Sequence, residues 1–332
     1  MRILQLGFGT VGKENVRQLL KRGHEVVAIV GRNPGRIDIG GFDFAGKPPL
    51  VGDNLAECIA RSGAELILQA TAIDPDDMVR VVEQAAAAKC DIISVNPIID
   101  LRDVSPELYG SLDRIATKAG IRVIGVGVIP GFYSDILPLF MTGACSEVST
   151  IRFRRRADFS KWGLATAAIF GFGLTPQEFE RQKSDGKILF FRNLWQSAHL
   201  IARELSWPVE STEEFKSPMI SDRERNGAYM QVPAGTVGGF THRVVIHSTQ
   251  SRSIDLAVSG IMDPKGDDEK LEVYVEIEGN PQLRLDIQGD VLLSSGSVVG
   301  TSARVINTIG PLRMAKPGLR TTADLRLVVN AG

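Results

Sequence analysis

The sequence has few cysteines and no long apolar run, and both shortages restrict the class of protein. Its three cysteines, Cys58, Cys90 and Cys145, are far apart and form no CxxC pair. We therefore expect free thiols in a reducing compartment and no metal site. No segment approaches the ~18 consecutive apolar residues of a membrane span, and the opening residues MRILQLGFGTVG lack the apolar stretch of a signal peptide. These absences predict a cytoplasmic protein with no membrane partner.

The sequence also lacks an excess of charge of either sign. It has 38 Lys and Arg against 39 Asp and Glu, which gives a net charge of −1. Such a chain has no overall field that would attract nucleic acid, so we expect no nucleic-acid partner and a small-molecule substrate instead. The length of 332 residues favours two domains, because domains usually have about 100–200 residues.

The first part of the chain alternates short apolar runs with longer amphipathic stretches. The pattern predicts strands at 2–6, 25–30, 66–70, 92–95 and 122–125, and helices at 12–22, 53–61, 75–88 and 105–118. Strands that alternate with helices of this length form a parallel, doubly wound sheet. The fold class is therefore α/β, with a first domain at 1–130.

Beyond residue 131 the pattern becomes rich in strands. We predict strands at 148–156, 243–248, 254–261, 272–278 and 282–288, and helices at 175–185, 194–205 and 298–315. Consecutive strands with turn residues between them favour an antiparallel sheet. Residues 131–297 should thus form an α+β second domain for the substrate, and we expect 298–332 to pack back on the first domain.

A glycine-rich loop follows the first strand and opens the first helix. Gly7, Gly9 and Gly12 fit G-x-G-x-x-G, the signature of a Rossmann dinucleotide-binding domain in this context. Gly7 permits the tight turn, Gly9 admits the pyrophosphate, and Gly12 allows close helix packing. The amides of Thr10 and Val11 at the helix start should face the diphosphate.

The residues at the end of the second strand indicate whether the site prefers NAD or NADP. Acceptors of the NAD ribose are usually acidic there, but the sequence reads Val30-Gly31-Arg32-Asn33-Pro34. Arg32 could pair with a 2′-phosphate, with Asn33 beside it, so we expect NADP, with NAD possible. The alternative is that Arg32 is a solvated loop residue.

Two further loops follow strands at the carboxyl edge of the sheet, where ligands bind in this kind of fold. They contain Ala70-Thr71-Ala72 and Asn96-Pro97. We expect these residues to line the cofactor's ribose and nicotinamide, and the alternative is that they are ordinary turn residues.

The segment after the first domain carries the most distinctive motif. Residues 125–138 fit G-x-G-x-x-P-G-F-x-x-D-x-L-P, 154–160 contain R-x-x-D-x-S, and 173–179 read G-x-x-P-x-x-F. Together with 300–303 and 315–319, these stretches resemble the dihydrodipicolinate reductase-like dehydrogenases, in particular the 2,4-diaminopentanoate and native amine dehydrogenases. The resemblance implies a homodimer built on the second domain's sheet, and hydride transfer between the nicotinamide and an amine, imine or carbonyl substrate. A cyclic imine reductase and a non-catalytic NADP-binding sensor are the alternatives.

Proton transfer requires a side chain near the substrate. Our catalytic candidates are Asp135, Tyr133 and Asn96. The resemblance implies a glutamate at the stretch that here reads Asn96-Pro97-Ile98, which has no carboxylate. Asp135 could instead cap the next helix, and Tyr133 could be a packed aromatic. The substrate-binding candidates are Asp158, Lys161 and His199, for which a surface ion pair and a core histidine are the structural alternatives.

Overall fold

The computed structural model describes residues 1–71, 74–95, 98–191, 193–266 and 269–330. The chain divides into two compact units, which we call the first and the second unit. The first unit contains Met1–Gly131 and Val298–Gly332, and the second contains Phe132–Ser297. Among the helices in the described ranges, none has the length and apolarity to cross a membrane.

The first unit is built on a seven-stranded sheet in which every strand pairing is parallel. Its strands are β1 (Arg2–Leu6), β2 (Glu25–Val30), β3 (Leu50–Gly52), β4 (Leu66–Gln69), β5 (Asp91–Ser94), β6 (Arg122–Gly125) and β15 (Gly318–Arg320). Their order in the sheet is β15-β6-β5-β4-β1-β2-β3. The order changes direction between β1 and β4, so the loops after these two strands border the crevice where ligands bind in such sheets.

Helices cover both faces of this sheet. They are α1 (Thr10–Lys21), α2 (Leu55–Ser62), α3 (Pro75–Ala87), α4 (Pro106–Ala119) and α9 (Ser294–Arg313). Neighbouring residues of β1 belong to opposite apolar clusters: Leu4 packs with Ile59 and Val82, whereas Ile3 packs with Val16 and Ile306. This alternation follows from the two-residue period of a strand. The predicted doubly wound α/β fold is confirmed.

Most element boundaries in the first unit agree with the pattern of the sequence. The predicted limits of β2 and β6 match those observed, but β3 and β15 were not predicted. Both have three residues, which is too short for an alternating pattern to show. The last helix was predicted at 298–315, whereas α9 spans Ser294–Arg313 and Gly318 opens β15 with φ +123°.

The second unit contains a six-stranded sheet in which β7 and β12 are parallel and the other pairs are antiparallel. The strands are β7 (Glu147–Asp158), β8 (Val209–Ile220), β11 (Val237–Ser248), β12 (Arg252–Ile261), β13 (Glu272–Asn280) and β14 (Leu283–Asp286). Their order is β14-β13-β7-β12-β11-β8. The mostly antiparallel sheet expected from the sequence is confirmed. A separate small hairpin joins β9 (Arg225–Asn226) to β10 (Gln231–Val232).

Four helices accompany this sheet: α5 (Ile136–Thr142), α6 (Leu164–Ile169), α7 (Pro176–Ser184) and α8 (Leu194–Glu204). The sequence predicted α7 and α8 but not α5, α6 or β8. Strand β11 begins at Val237, whereas the prediction began at residue 243. Gly238 and Gly239 have no side chains, so the alternation of apolar and polar residues is not visible at the start of this strand. Strand β8 lies at the sheet edge, where its largely exposed residues carry no apolar alternation.

An aromatic cluster forms the core beside one end of this sheet. The rings of Phe170 and Phe240 stack with centroids 4.2 Å apart, and Phe159 meets Phe240 edge to face at 5.2 Å. Phe172 and Phe190 are also buried there. These aromatic residues therefore serve core packing in the second unit.

Candidate functional site

The glycine loop between β1 and α1 leaves no room for side chains at two of its three glycines. Gly7 has φ +88°, and a Cβ there would lie 2.5 Å from Cγ2 of Thr71. A Cβ at Gly12 would lie 2.1 Å from the carbonyl oxygen of Gly7. By contrast, a Cβ at Gly9 would meet no described atom within 4 Å. Gly7 and Gly12 thus close the turn, and Gly9 leaves space for a ligand.

Helix α1 begins at this loop without a side-chain cap. Gly9 is its N-cap residue, and none of the described side chains accepts a hydrogen bond from the first turn, which contains no acidic residue. The amides of the first turn, including Thr10 and Val11, therefore lack the usual acceptors and carry the positive end of the helix dipole. An anionic group such as a diphosphate satisfies both requirements.

The loop opens onto a cavity of about 900 Å³ within the first unit. Its volume lies within the range of about 300–1,000 Å³ that is typical of ligand sites. Five of the residues predicted to bind a cofactor line it: Gly7, Gly9, Arg32, Ala70 and Thr71. The other lining residues are Leu6, Phe8, Val30, Gly31, Asp53, Asn54, Leu55, Asp77, Arg80, Val81 and Gln84.

The cavity lining carries charged side chains of both signs. Arg32 is exposed just after β2, and Arg80 of α3 forms an ion pair with Asp77. Asp53, close to the start of α2, is also exposed. Sequence reasoning missed Asp53, Asp77 and Arg80 as site residues, because they come from helical segments whose approach to the glycine loop depends on the sheet order.

The remaining cofactor candidates have other positions. Asn33 follows Arg32 and precedes a 3-10 turn, Pro34–Arg36, and it is not among the described residues that line the cavity. Gly12 lies behind the loop, against Gly7. Ala72, Asn96 and Pro97 lie outside the described residues, so the nicotinamide side of the prediction stays a prediction.

Asp135 is fully buried and holds two elements of the second unit together. One carboxylate oxygen accepts a hydrogen bond from the amide of Ile136 (2.7 Å) and caps α5. The other accepts hydrogen bonds from the hydroxyls of Ser197 of α8 (2.5 Å) and of Ser134 (3.3 Å). The geometry favours the capping role, which the sequence left open, over proton transfer.

Tyr133 is half-buried and packs against the ring of Phe132, with centroids 5.0 Å apart. Burial raises the pKa of its phenol. The hydroxyl therefore stays protonated at neutral pH and is available as a hydrogen-bond donor.

Asp158 ends β7 and Lys161 follows it in the next turn, whereas the third substrate candidate, His199, lies on α8. The Asp158 carboxylate accepts a hydrogen bond from the amide of Ser160 (2.8 Å), and Lys161 is exposed. His199 is half-buried on α8, with its Nε2 3.4 Å from the hydroxyl of Thr212 on β8. An ion pair between Asp158 and Lys161, considered from the sequence, does not occur among the described residues.

Arg155 of β7, the arginine of the R-x-x-D-x-S motif, is a buried cation that was not among the candidate site residues. Only 4% of the residue is exposed, and its guanidinium donates to the hydroxyl of Ser297 (2.8 Å) and to the carbonyl of Val291 (3.5 Å). Its Nε is buried without a partner among the described residues. Desolvation lowers the pKa of Arg155 to about 10. A buried guanidinium without a carboxylate is costly, and an anionic ligand would offset that cost.

Comparison with known proteins identifies a domain family and several relatives. Residues 132–331 match the family model of the 2,4-diaminopentanoate dehydrogenase C-terminal domain. Over 98% of its length, the chain is 26% identical to 2,4-diaminopentanoate dehydrogenase of Acetoanaerobium sticklandii and covers 93% of that protein. It is 23% identical to an amine dehydrogenase of Streptomyces virginiae, with 97% of this chain and 95% of that protein covered.

The fold as a whole is shared with a solved structure. The amine dehydrogenase from Mycobacterium smegmatis superposes with a TM-score of 0.84 at 20% identity. The match covers 99% of this chain and 97% of that chain. At this identity the likeness concerns the fold, and it extends over both units.

Proposed function

The chain belongs to the family defined by the 2,4-diaminopentanoate dehydrogenase C-terminal domain, and from this we infer that it is an NAD(P)-dependent dehydrogenase of amino compounds. A bound nicotinamide would accept the hydride at its C4 atom. The substrate would be a small primary amine, which is oxidised to an imine. The observation that carries this proposal is the uncapped start of α1 beside the cavity of about 900 Å³.

We propose NADP as the preferred cofactor. The support is the pair of arginines in the lining, Arg32 and Arg80, which face the same cavity. A guanidinium binds a phosphate through two parallel hydrogen bonds, and Arg32 stands where an acidic residue would select NAD. Asp53 and Asp77 reduce the net positive charge there, so Arg32, which has no ion-pair partner among the described residues, carries the preference.

For proton transfer we propose Tyr133, whose phenol stays protonated because burial raises its pKa. A protonated phenol is a donor, so this role applies to the reductive direction. There its hydroxyl would donate the proton to the imine nitrogen while the imine carbon receives the hydride, and the phenolate would recover a proton from water. Asn96 remains a second candidate from the sequence, outside the described residues.

Arg155 supports a narrower statement about the substrate. Its buried Nε has no partner among the residues that the structure describes, and Ser297 adds a hydroxyl beside the same guanidinium. This arrangement suits a carboxylate, which accepts two hydrogen bonds from one guanidinium. We therefore propose that the preferred amines carry an acidic group.

We also propose a homodimer, formed through the charged face of the six-stranded sheet. On that face β7 presents Arg152 and Arg154, which pair with Glu276 and Asp255 of neighbouring strands. A surface with both signs of charge is complementary to its own copy in a twofold arrangement.

The test of the proposed function is cofactor binding by Gly9→Val. The extended backbone of Gly9 accepts any residue, and its Cβ meets no described atom within 4 Å. The fold should therefore persist, while a branched side chain blocks the approach of the diphosphate. We expect the wild type to bind NADPH in calorimetry and to reduce NADP⁺ with amines, and Gly9→Val to lose at least about tenfold in affinity, or ~1.4 kcal/mol.

Gly35→Val is the matched control, because a Cβ at this exposed glycine also meets nothing within 4 Å and it does not line the cavity. Unchanged NADPH binding by Gly9→Val would contradict the assigned site. Binding by the wild type without turnover of any amine, with or without a carboxylate, would favour the non-catalytic sensor.

A further inference from the structure

Two buried glutamines interrupt the apolar strands beneath the glycine loop. Gln5 of β1 has 0% of its surface exposed, and Gln69 of β4 has 1%. An amide in such a position costs free energy unless all its polar groups find partners. The hydrogen-bond partners of these two side chains therefore explain why the amides are tolerated beneath the glycine loop.

The side chain of Gln69 forms hydrogen bonds with Thr71, two residues further along the chain. Its Nε2 donates one hydrogen bond to the carbonyl oxygen of Thr71 (2.8 Å) and one to the hydroxyl oxygen Oγ1 (2.6 Å). Its Oε1 accepts a hydrogen bond from the hydroxyl of Ser94 on β5 (2.6 Å). Since a carbonyl only accepts, the amide nitrogen must face Thr71, and the orientation of the amide is fixed.

This geometry determines what the Thr71 hydroxyl can do. Both hydrogens of the Gln69 amide are used, and one of them occupies a lone pair of Oγ1. The Thr71 hydroxyl cannot donate its single hydrogen to Nε2 of Gln69, because this amide nitrogen is a donor and does not accept hydrogen bonds. Among the described residues none accepts this hydrogen, so it is available for donation to a ligand, and Thr71 lines the cavity.

Gln5 forms hydrogen bonds with the glycine loop, which is the neighbour of Thr71 across the sheet. Its Nε2 donates to the carbonyl oxygens of Gly7 (2.9 Å) and Leu68 (3.1 Å), and its Oε1 accepts from Nδ2 of Asn15 (3.2 Å). A Cβ on Gly7 would lie 2.5 Å from the methyl group of Thr71, so the two loops are in close contact. The position of Thr71 is thus restricted by its hydrogen bonds with Gln69 and by its close contact with Gly7.

We propose that Gln69 is a positioning residue that makes Thr71 a hydrogen-bond donor to an oxygen of the bound dinucleotide. The inference rests on the proposed function, because it requires a dinucleotide in this cavity. It goes further in two respects. It assigns the Thr71 hydroxyl as the donor in a hydrogen bond to the ligand, and it assigns the orientation of that hydroxyl to Gln69, which does not contact the ligand.

The experiment compares Thr71→Val, Thr71→Ser and Gln69→Glu by calorimetry with NADPH and with 2′-AMP, a probe of the adenosine end alone. We expect Thr71→Val to weaken NADPH binding about three- to tenfold, as for the loss of one hydrogen bond, and to leave 2′-AMP within about twofold. Thr71→Ser keeps the hydroxyl and should bind NADPH like the wild type.

Gln69→Glu replaces the donating amide by an acceptor, which draws the Thr71 hydroxyl hydrogen toward itself. We expect a similar loss for NADPH, and less than about a twofold further loss when Gln69→Glu is added to Thr71→Val, because both changes remove the same bond. Gln177→Glu, at an exposed position on α7, controls for the added charge.

The outcomes separate this inference from the proposed function. A wild type that binds no dinucleotide overturns both. A wild type that binds NADPH, with Thr71→Val equal to it or Thr71→Ser as weak as Thr71→Val, overturns the donor role alone. If Gln69→Glu does not fold, the comparison of Val with Ser at position 71 still decides the donor role. Fully additive losses in the double variant would exclude Gln69 as the cause.

Discussion

At the scale of single residues, the charge of the cavity beside the glycine loop depends on a few side chains with different surroundings. Arg80 is paired with Asp77 on its own helix, which leaves part of its charge compensated. Arg32 stands just beyond β2 and is exposed. A free guanidinium is the stronger ligand for a phosphate, because it has no ion pair to break.

The first prediction concerns Arg32→Ala. Since a hydrogen bond to a charged group contributes about 1.5–3 kcal/mol, the loss of this side chain should weaken NADPH binding by about 10- to 100-fold. Binding of NADH, which has no 2′-phosphate, should change by less than about threefold. Titration of protein fluorescence with each reduced cofactor measures both constants.

Arg61→Ala is the control for Arg32→Ala, because Arg61 is exposed on α2, pairs with Glu57 and does not line the cavity. It should leave both affinities unchanged. Equal losses for NADPH and NADH in Arg32→Ala would mean that the side chain does not read the 2′-phosphate.

At the scale of elements, α5 shows how one buried carboxylate supports a helix that is too short to be stable alone. The helix has seven residues, and helices of this length depend on capping and packing. Asp135 supplies the cap and also joins α5 to α8 through Ser197. Its position therefore affects two helices at once.

The second prediction uses Asp135 to separate structure from catalysis. Asp135→Ala removes the cap and leaves the hydroxyl of Ser197 without its acceptor, which should cost about 2–4 kcal/mol. Asp135→Asn keeps an acceptor oxygen and should cost less. All three tryptophans, Trp162, Trp195 and Trp207, lie in the second unit, so urea unfolding followed by tryptophan fluorescence reports on that unit.

Asp185→Ala is the control, since this exposed carboxylate forms a surface ion pair with Lys187, and such changes alter stability by about 0.5 kcal/mol or less. If Asp135→Asn were as stable as the wild type but had lost its turnover, Asp135 would be a proton-transfer group, as the sequence first suggested.

At the scale of the whole molecule, the six-stranded sheet has two different faces. Alternate residues of β7 are apolar, such as Ile151 and Phe153, or basic, such as Arg152 and Arg154. The charged row continues on β12 with the acidic Asp255, whose carboxylate pairs with Arg154 and with Arg243 of β11 (2.8 Å). The pattern of the sheet therefore separates a core face from a charged face.

The third prediction is that two copies associate through the charged face. Light scattering after gel filtration should give twice the 36.0 kDa mass of the chain. Ser259 lies on this face, paired across the sheet with Thr241 and Arg156. Ser259→Arg should shift the mass toward that of the monomer, because a long charged side chain would be buried between the copies.

Ser184→Arg places the same change at an exposed position of helix α7, which is not part of the sheet, and should leave the mass unaltered. A monomeric wild type, or a dimer that tolerates Ser259→Arg, would refute this interface.

The sequence by itself determined the features that depend on neighbouring residues. Strand β2 and strand β6 appear in the pattern with their observed limits, because a buried strand is a continuous apolar run between turn residues. Gly7, Gly9 and Gly12 predict a phosphate-binding turn between β1 and α1, since each glycine meets a local steric requirement. The motif from Gly125 onward identifies the family for the same reason: its residues are adjacent in the chain.

Only the tertiary structure decided the features that depend on distant residues. Strand β15 joins the first sheet from near the end of the chain, and Asp53 and Arg80 reach the glycine loop through the order of the strands. The burial of Arg155 and the contact of Gln69 with Thr71 depend on packing and on side-chain direction. A polar residue in an apolar strand is visible in the sequence, but its partner is fixed by the backbone that folds around it.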